Sequence, residues 1–183
     1  MSELMEKDVA KVLFSEEEIA RMTRQMGEKI SADYADKNLL LVGVLKGANI
    51  FVADLARTIP EKVQMDFIVA SSYGNSTVSS GQLRILKDVE GDLSDKDILL
   101  VEDLIDTGLT LKLLKEHFEA RGAKSIRIAT LLNKPDRREK QVTVDYVGFE
   151  CPNEFVVGYG LDYAELYRNL PYIGVLKKEV YTT

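Results

Sequence analysis

Asp97-Ile98-Leu99-Leu100-Val101-Glu102-Asp103-Leu104-Ile105-Asp106-Thr107-Gly108-Leu109-Thr110 is the stretch on which the fold turns. Its first five residues are the strongest strand in the chain and read as buried. A helix is predicted after it, running to Arg121 with Leu111, Leu114 and Phe118 on one side and Gly122 as its stop. Between strand and helix stand three carboxylates, two threonines and a glycine. The start of a helix leaves backbone N–H groups that the helix does not use, and with the helix dipole they suit an anion. Thr107 and Thr110 add hydroxyl donors, and Gly108 lets the backbone approach a phosphate closely. Within an ideal strand Glu102 and Asp103 face opposite sides, so they serve one ligand only if the strand bends or ends there. The same residues also suit a plainer arrangement, with Asp106-Thr107 capping the helix and the acidic pair on a solvated strand end.

Outward from this stretch the chain alternates strands with helices. Ser15-Glu16-Glu17-Glu18 has the form of a capping box, and Ile19, Met22, Met26 and Ile30 follow at helical spacing. Asn38 to Leu45 reads as a strand, Ala48 to Thr58 as a helix, and Gln64 to Ser71 as a second strand. Residues Ser72 to Gly81 are small, polar and glycine-bearing, which predicts an exposed loop, and Gln82 to Asp88 a strand returning from it. Ser125 to Leu132, Val142 to Val147 and Phe155 to Gly158 complete the strands. This order predicts an α/β fold around a central, mostly parallel sheet. Ligands of such sheets sit at the carboxyl ends of the strands, so the loops after Leu45, Val101 and Leu132 are expected on one edge.

Composition narrows the function. With 45% hydrophobic and 30% charged residues in 183, the chain has the balance of one soluble domain, and no apolar run is long enough to span a bilayer. The net charge of -6 argues against nucleic acid held through its phosphates. Cys151 is the single cysteine, and the acidic opening residues lack a secretion signal's basic start, so a cytoplasmic protein is expected. Neither a Gly-Lys-Ser/Thr phosphate loop nor Gly-x-Gly-x-x-Gly follows a strand, which disfavours kinases, GTPases and common dinucleotide dehydrogenases. His117 is the only histidine and sits within a helix, so hydrolysis by histidine-bound metal is poorly supported. The basic stretch Lys134 to Lys140 reads mostly as a solvated turn.

Val101 to Thr110 resembles the phosphoribosyl pyrophosphate signature of type I phosphoribosyltransferases: apolar residues, two acids, two apolar residues, Asp, a small hydroxyl residue, Gly, a variable residue, Thr. Five further segments resemble the 6-oxopurine branch of that family, in order. Leu45-Lys46-Gly47 is similar to its pyrophosphate loop, which often carries a cis peptide. Ser72-Tyr73-Gly74 is similar to the start of its flexible loop, and Leu132-Asn133-Lys134 to its purine-reading lysine. Phe155 to Tyr163 is similar to its base pocket, and Tyr167 to Gly174 to its tail. Leu109 stands where other branches carry a polar or basic residue.

The resemblance implies one phosphoribosyltransferase domain over residues 1–183, with a flexible loop at about 72–82 and a small hood made from the N- and C-terminal segments. It implies Mg²⁺-dependent transfer of the phosphoribosyl group from phosphoribosyl pyrophosphate to hypoxanthine or guanine, in a homodimer or homotetramer, with no nucleic acid and no membrane as partner. Asp106, Thr107, Gly108, Leu109 and Thr110 would bind the 5-phosphate, with Leu104 and Ile105 leading into that turn. Glu102 and Asp103 would hold the ribose hydroxyls near the metal, and Asp106 would be the general base at N7. Lys46, Gly47 and Arg168 would hold pyrophosphate, and Ser72 and Tyr73 would belong to the cover. Phe155 would stack on the base, Lys134 would donate to its C6 oxygen, the Val156 backbone would meet its edge, and Asp162 would lie near C2 and a second Mg²⁺. Two rivals share the scaffold, an RNA- or nucleotide-binding regulator without turnover and a phosphate-sensing signalling domain.

Overall fold

The computed structural model describes residues 3–73 and 82–182; the segment 74–81, expected to be a loop and lid, lies outside them, as do the side chains of Ser72 and Tyr73. The elements are α1 (Glu3–Glu6), β1 (Val9–Phe14), α2 (Glu16–Tyr34), β2 (Leu39–Leu45), α3 (Asn49–Ala56), β3 (Gln64–Tyr73), β4 (Gln82–Lys87), β5 (Asp97–Ile105), α4 (Leu109–Ala120), β6 (Ser125–Asn133), β7 (Tyr146–Glu150), β8 (Val156–Val157), β9 (Ile173–Leu176) and α5 (Lys178–Tyr181), with a short 3-10 turn over Pro135–Arg137. Six strands form one sheet in the order β4-β3-β2-β5-β6-β7, parallel except for β4 against β3.

The two sides of this sheet are covered by different helices. Leu39 and Leu41 of β2 and Leu99 and Val101 of β5 pack with Ile19, Met26 and Ile30 of α2 and Phe51 and Leu55 of α3. Leu40, Val42 and Val44 of β2 and Ile98 and Leu100 of β5 pack with Leu111, Leu114 and Phe118 of α4. Alternating side chains of one strand thus enter two cores, which is why these strands read as continuous apolar runs. The capping box of α2 forms as its spacing predicts: Ser15 Oγ accepts from the Glu18 N–H at 3.2 Å, and the Ser15 N–H donates to Glu18 Oε2 at 2.8 Å.

A second, three-stranded sheet in the order β1-β9-β8 draws its strands from both ends of the chain. Val12 faces Gly174 and Phe14 faces Ile173 across β1 and β9. The sequence reading assigned no strand to β1 or β9. It also placed the strand before the acidic turn too short, since β5 continues through Glu102 to Ile105. The strand expected over Val142 to Val147 starts later, at Tyr146, because Val142 and Val144 pack against the α4 side of the core in irregular chain. Ser72 and Tyr73 belong to the backbone of β3, which pairs with β4 as far as Gln82. Phe155 stands just outside β8.

Candidate functional site

The carboxyl ends of β2, β5 and β6 lie side by side, with Val101 opposite Ala129 and Ile105 opposite Asn133. A cavity of about 270 Å³ opens there, lined by Val44, Leu45 and Gly47 from the β2 end and by residues Glu102 to Gly108, Thr110 and Leu111. A second cavity of about 560 Å³ adjoins it and shares Asp103, Leu104 and Asp106. Lys134, Phe155, Val156 and Asp162 line the second cavity. Eight of the sequence-selected residues between Glu102 and Thr110 therefore wall the first cavity; Leu109 does not.

The acidic pair is brought together by a slip in strand phase. Leu99 and Val101 point to the α2–α3 core, and regular alternation would send Leu104 to the opposite side. Leu104 instead packs on the α2–α3 side and Ile105 on the α4 side. The phase has shifted by one residue between Val101 and Leu104, at Glu102-Asp103. The strand neither ends nor leaves the sheet, yet both carboxylates reach one cavity. The Asp103 N–H donates to Glu102 Oε1 at 3.1 Å, and the Leu104 N–H to Asp103 Oδ1 at 2.7 Å. Burial, then the neighbouring Asp103 charge, pushes the Glu102 carboxyl well above its ordinary range. Burial also raises Asp103, against lowering hydrogen bonds from Glu102 and the Leu104 N–H and a smaller pull from Arg168.

Two buried carboxylates that repel each other suit a hard divalent cation, which takes oxygen ligands and removes the repulsion. Asp162 is placed differently. Its Oδ1 lies 2.9 Å from Arg168 Nη2 and its Oδ2 accepts from the Glu165 N–H at 2.9 Å, so contact with a cation through water fits it better than direct ligation. Among the described residues no group of three or more His, Cys, Asp or Glu side chains is close enough to hold one ion.

The turn Asp106 to Gly108 is fixed from outside as well as by α4. Gly108 has φ +83°, a left-handed conformation costly for other residues, and its carbonyl accepts from the Lys112 N–H at 3.1 Å. The Leu109 N–H points to Thr107 Oγ1 at 3.4 Å. Thr107 O accepts from the N–H groups of Glu139 and Lys140 at 3.0 and 2.9 Å. The basic stretch read as a solvated turn is thus a strap over this turn, and its side chains take part. Arg137 Nε stands 2.7 Å from Asp106 Oδ1 as an ion pair without hydrogen-bond alignment, and Arg137 lines the larger cavity. The sequence reading missed Arg137; the density of positive charge just after Lys134 was the available signal.

The Leu45–Lys46 peptide is cis, and Gly47 lies against the acidic pair. A Cβ on Gly47 would fall 1.7 Å from Asp103 Oδ2, so only glycine allows this approach. Lys46 and Arg168 do not wall either cavity. Their side chains meet at Glu165, with Lys46 Nζ 2.6 Å from Oε2 and Arg168 Nη2 3.5 Å from Oε1. In the larger cavity Lys134 is only 9% exposed and its Nζ donates to the Glu154 carbonyl at 2.7 Å. An ammonium has three donors, so two remain. Phe155 presents an exposed ring, and Val156 is buried in β8. His117 takes no part in either cavity; its Nε2 is 2.8 Å from Asp88 Oδ2.

Along nearly its whole length the chain is similar to known phosphoribosyltransferases. The phosphoribosyl transferase domain model matches residues 10–164. A hypoxanthine-guanine phosphoribosyltransferase of Streptococcus agalactiae serotype V is 52% identical over 179 residues, 98% of this chain and 99% of the relative. One from Streptococcus thermophilus is 52% identical over 178 residues, 97% of this chain and 99% of the relative. A crystal structure of a hypoxanthine phosphoribosyltransferase from Staphylococcus aureus superposes with a TM-score of 0.96 at 45% identity, covering 100% of both chains. A hypoxanthine-guanine phosphoribosyltransferase from Bacillus anthracis, solved with a HEPES molecule in the active site, has a TM-score of 0.88 at 44% identity, covering 92% of this chain and 99% of that one.

Proposed function

This chain belongs to the phosphoribosyltransferase family, and from that premise we propose that it transfers the 5-phosphoribosyl group of phosphoribosyl pyrophosphate to hypoxanthine or guanine, giving IMP or GMP and pyrophosphate in purine salvage. The observation that carries this reading is the pair of adjoining cavities: one walled by an anion-suited turn, the other by an aromatic ring and a buried lysine, with Asp103, Leu104 and Asp106 common to both. A ribose bridging a phosphate and a base needs such a junction.

In this reading the turn Asp106 to Thr110 takes the 5-phosphate through backbone N–H groups and the Thr107 and Thr110 hydroxyls. Glu102 and Asp103 accept from the ribose hydroxyls. Mg²⁺ held at Asp103 and Glu102, with Asp162 reached through water, would neutralise charge on the pyrophosphate. Lys46, the Gly47 N–H and Arg168 receive the pyrophosphate, Arg168 by the forked donor pair of a guanidinium. The bond from C1 to pyrophosphate oxygen breaks as a purine nitrogen bonds to C1, and the electron pair leaves with pyrophosphate. Asp106 takes the proton released from the base. Lys134 donates to the C6 oxygen and leaves an unmatched donor against the amino group of adenine. The segment 72–82 serves as the cover that keeps water from the cationic sugar. The domain is one unit whose hood is the sheet β1-β9-β8, and it works in the cytoplasm as a homodimer or homotetramer.

Nucleotide formation from hypoxanthine, guanine, xanthine, adenine and uracil, each with the donor and Mg²⁺, tests the reading. Activity on hypoxanthine or guanine is expected. Activity on adenine or uracil alone overturns the branch, and none on any base favours a regulator on the same fold.

A further inference from the structure

Phe155 does not stand alone at the rim of the larger cavity. Tyr181, in the last turn of chain the structure describes, stacks on it with ring centroids 4.8 Å apart and planes 22° from parallel. Tyr163 meets Phe155 edge-on at 5.7 Å and Tyr181 at 6.4 Å. Three separations this similar form a compact triangle. Rings on opposite faces of Phe155 would be separated by nearly the sum of their distances to it, so both tyrosines stand to one side. Phe155 is nevertheless 39% exposed. The face of Phe155 turned from Tyr181 is left without a ring partner, and Phe155 and Tyr181 both line the cavity, together with Leu104, Lys134 and Asp162.

Tyr181 is itself anchored. Its ring packs on the hood cluster of Val157, Tyr167, Leu170 and Leu176. The backbone that brings it there is tied at Lys177, whose N–H donates to Asp8 O at 2.9 Å, and at Val180, whose N–H donates to Lys177 O at 3.0 Å. A phenylalanine exposed on both faces would sample more than one rotamer and lose that freedom when a ligand stacks on it. A ring fixed behind it removes part of that loss in advance.

We propose that Tyr181 is a positioning residue for the purine: it backs Phe155 and holds that ring's free face parallel to the incoming base, so that C-terminal residues 178–181 tune base affinity without touching the sugar or phosphates. This rests on the reading of the larger cavity as the base site. Tyr181 stands in the wall of the larger cavity and not of the smaller, so the effect is confined to one substrate.

The test is steady-state kinetics of the full chain carrying Tyr181→Ala, Tyr181→Leu or Tyr181→Phe. An aromatic pair contributes enough to change binding by roughly 3- to 10-fold. The Ala and Leu variants should raise KM for hypoxanthine and guanine by about that factor, with kcat and KM for the donor within about 2-fold. Tyr181→Phe should restore the parental value, since the stack needs a ring and not the hydroxyl. Leu keeps an apolar plug on the hood, so equal losses in every parameter for Ala, absent in Leu, would mark a merely structural role and overturn the proposal. An unchanged base KM in both variants overturns it too. A lowered base KM overturns it by showing that the tyrosine ring occupies the purine's own place. A parent chain inert toward every base refutes the functional reading itself, a result distinct from an active parent with indifferent variants.

Discussion

Lys46 Nζ lies 2.6 Å from Glu165 Oε2, and the other oxygen of the same carboxylate faces Arg168 at 3.5 Å. Two cations assigned to pyrophosphate thus share an internal carboxylate. Both members of the first pair are well exposed, 65% and 64%, so the contact is weak and easily exchanged for a ligand. Glu165→Gln should lower KM for the donor by a factor of about 2 to 5, a size fitting an exposed pair. The bond from Lys46 holds the Glu165 carboxyl below its ordinary value of 4.5, so the carboxylate is charged throughout the neutral range. The gap between parent and variant should therefore be constant from pH 6 to 8. Initial rates against donor concentration at several pH values measure it; a raised KM would show that Glu165 orients the cations instead of competing for them.

Asp106 lines both cavities, which in the proposed reading puts it next to phosphate and base alike. Asp106→Asn keeps the shape and removes the proton acceptor. We expect kcat to fall by about 10²–10⁴-fold, the contribution typical of a general base, with KM for the donor changed by less than about 3-fold. Losses of equal size in both would assign Asp106 to binding alone.

Lys134 is nearly buried and already spends one donor on the Glu154 carbonyl. Lys134→Met removes the donors that favour a C6 oxygen and leaves the side chain's length. The preference for hypoxanthine over adenine, taken as the ratio of kcat/KM, should shrink by at least about 5-fold, as for the loss of about 1 kcal/mol or more of discrimination. An unaltered ratio would move base recognition to other groups of the pocket.

Ser15 and Glu18 bond reciprocally at the start of α2. Ser15→Ala should cost about 1 kcal/mol in urea unfolding at pH 7. The Glu18 carboxyl is held below its ordinary value, first by the Ser15 N–H and then by the Ser15 hydroxyl. A depressed carboxyl stabilises the fold above its unfolded value near 4.5, and that stabilisation is lost as pH falls through the folded value. The difference between variant and parent should therefore narrow below pH 4, and a gap that widens there would contradict the capping geometry.

The parts legible in the sequence are those whose signal is local. β2, β5 and β6 are apolar runs because both their faces are buried, and α2 and α4 declare themselves by caps and helical spacing. β1 escaped because none of its residues is buried and its only partner among the described residues, β9, is Ile173–Leu176 at the far end of the chain. The extent of β5 escaped because Glu102 and Asp103 look like a strand end; only the one-residue slip in phase lets a continuous strand direct both acids to one cavity. The residues around that cavity were readable through a resemblance spread over six segments, whereas Arg137 and Tyr181 were not, since their roles depend on contacts with Asp106 and Phe155 made across the fold.

Because β1 pairs with β9 alone among the described residues, residues 9–14 lack that partner during synthesis until position 176 has left the ribosome. Every strand of the parallel sheet and the acidic turn are complete by Glu150, so they are made before the roof above the purine, although Val156, Tyr159, Leu161 and Ile173 later close the core on the α2–α3 side. A nascent chain whose residues through about 160 have left the ribosome should have its phosphate turn in place and still ignore purines: selectivity for the base arrives last.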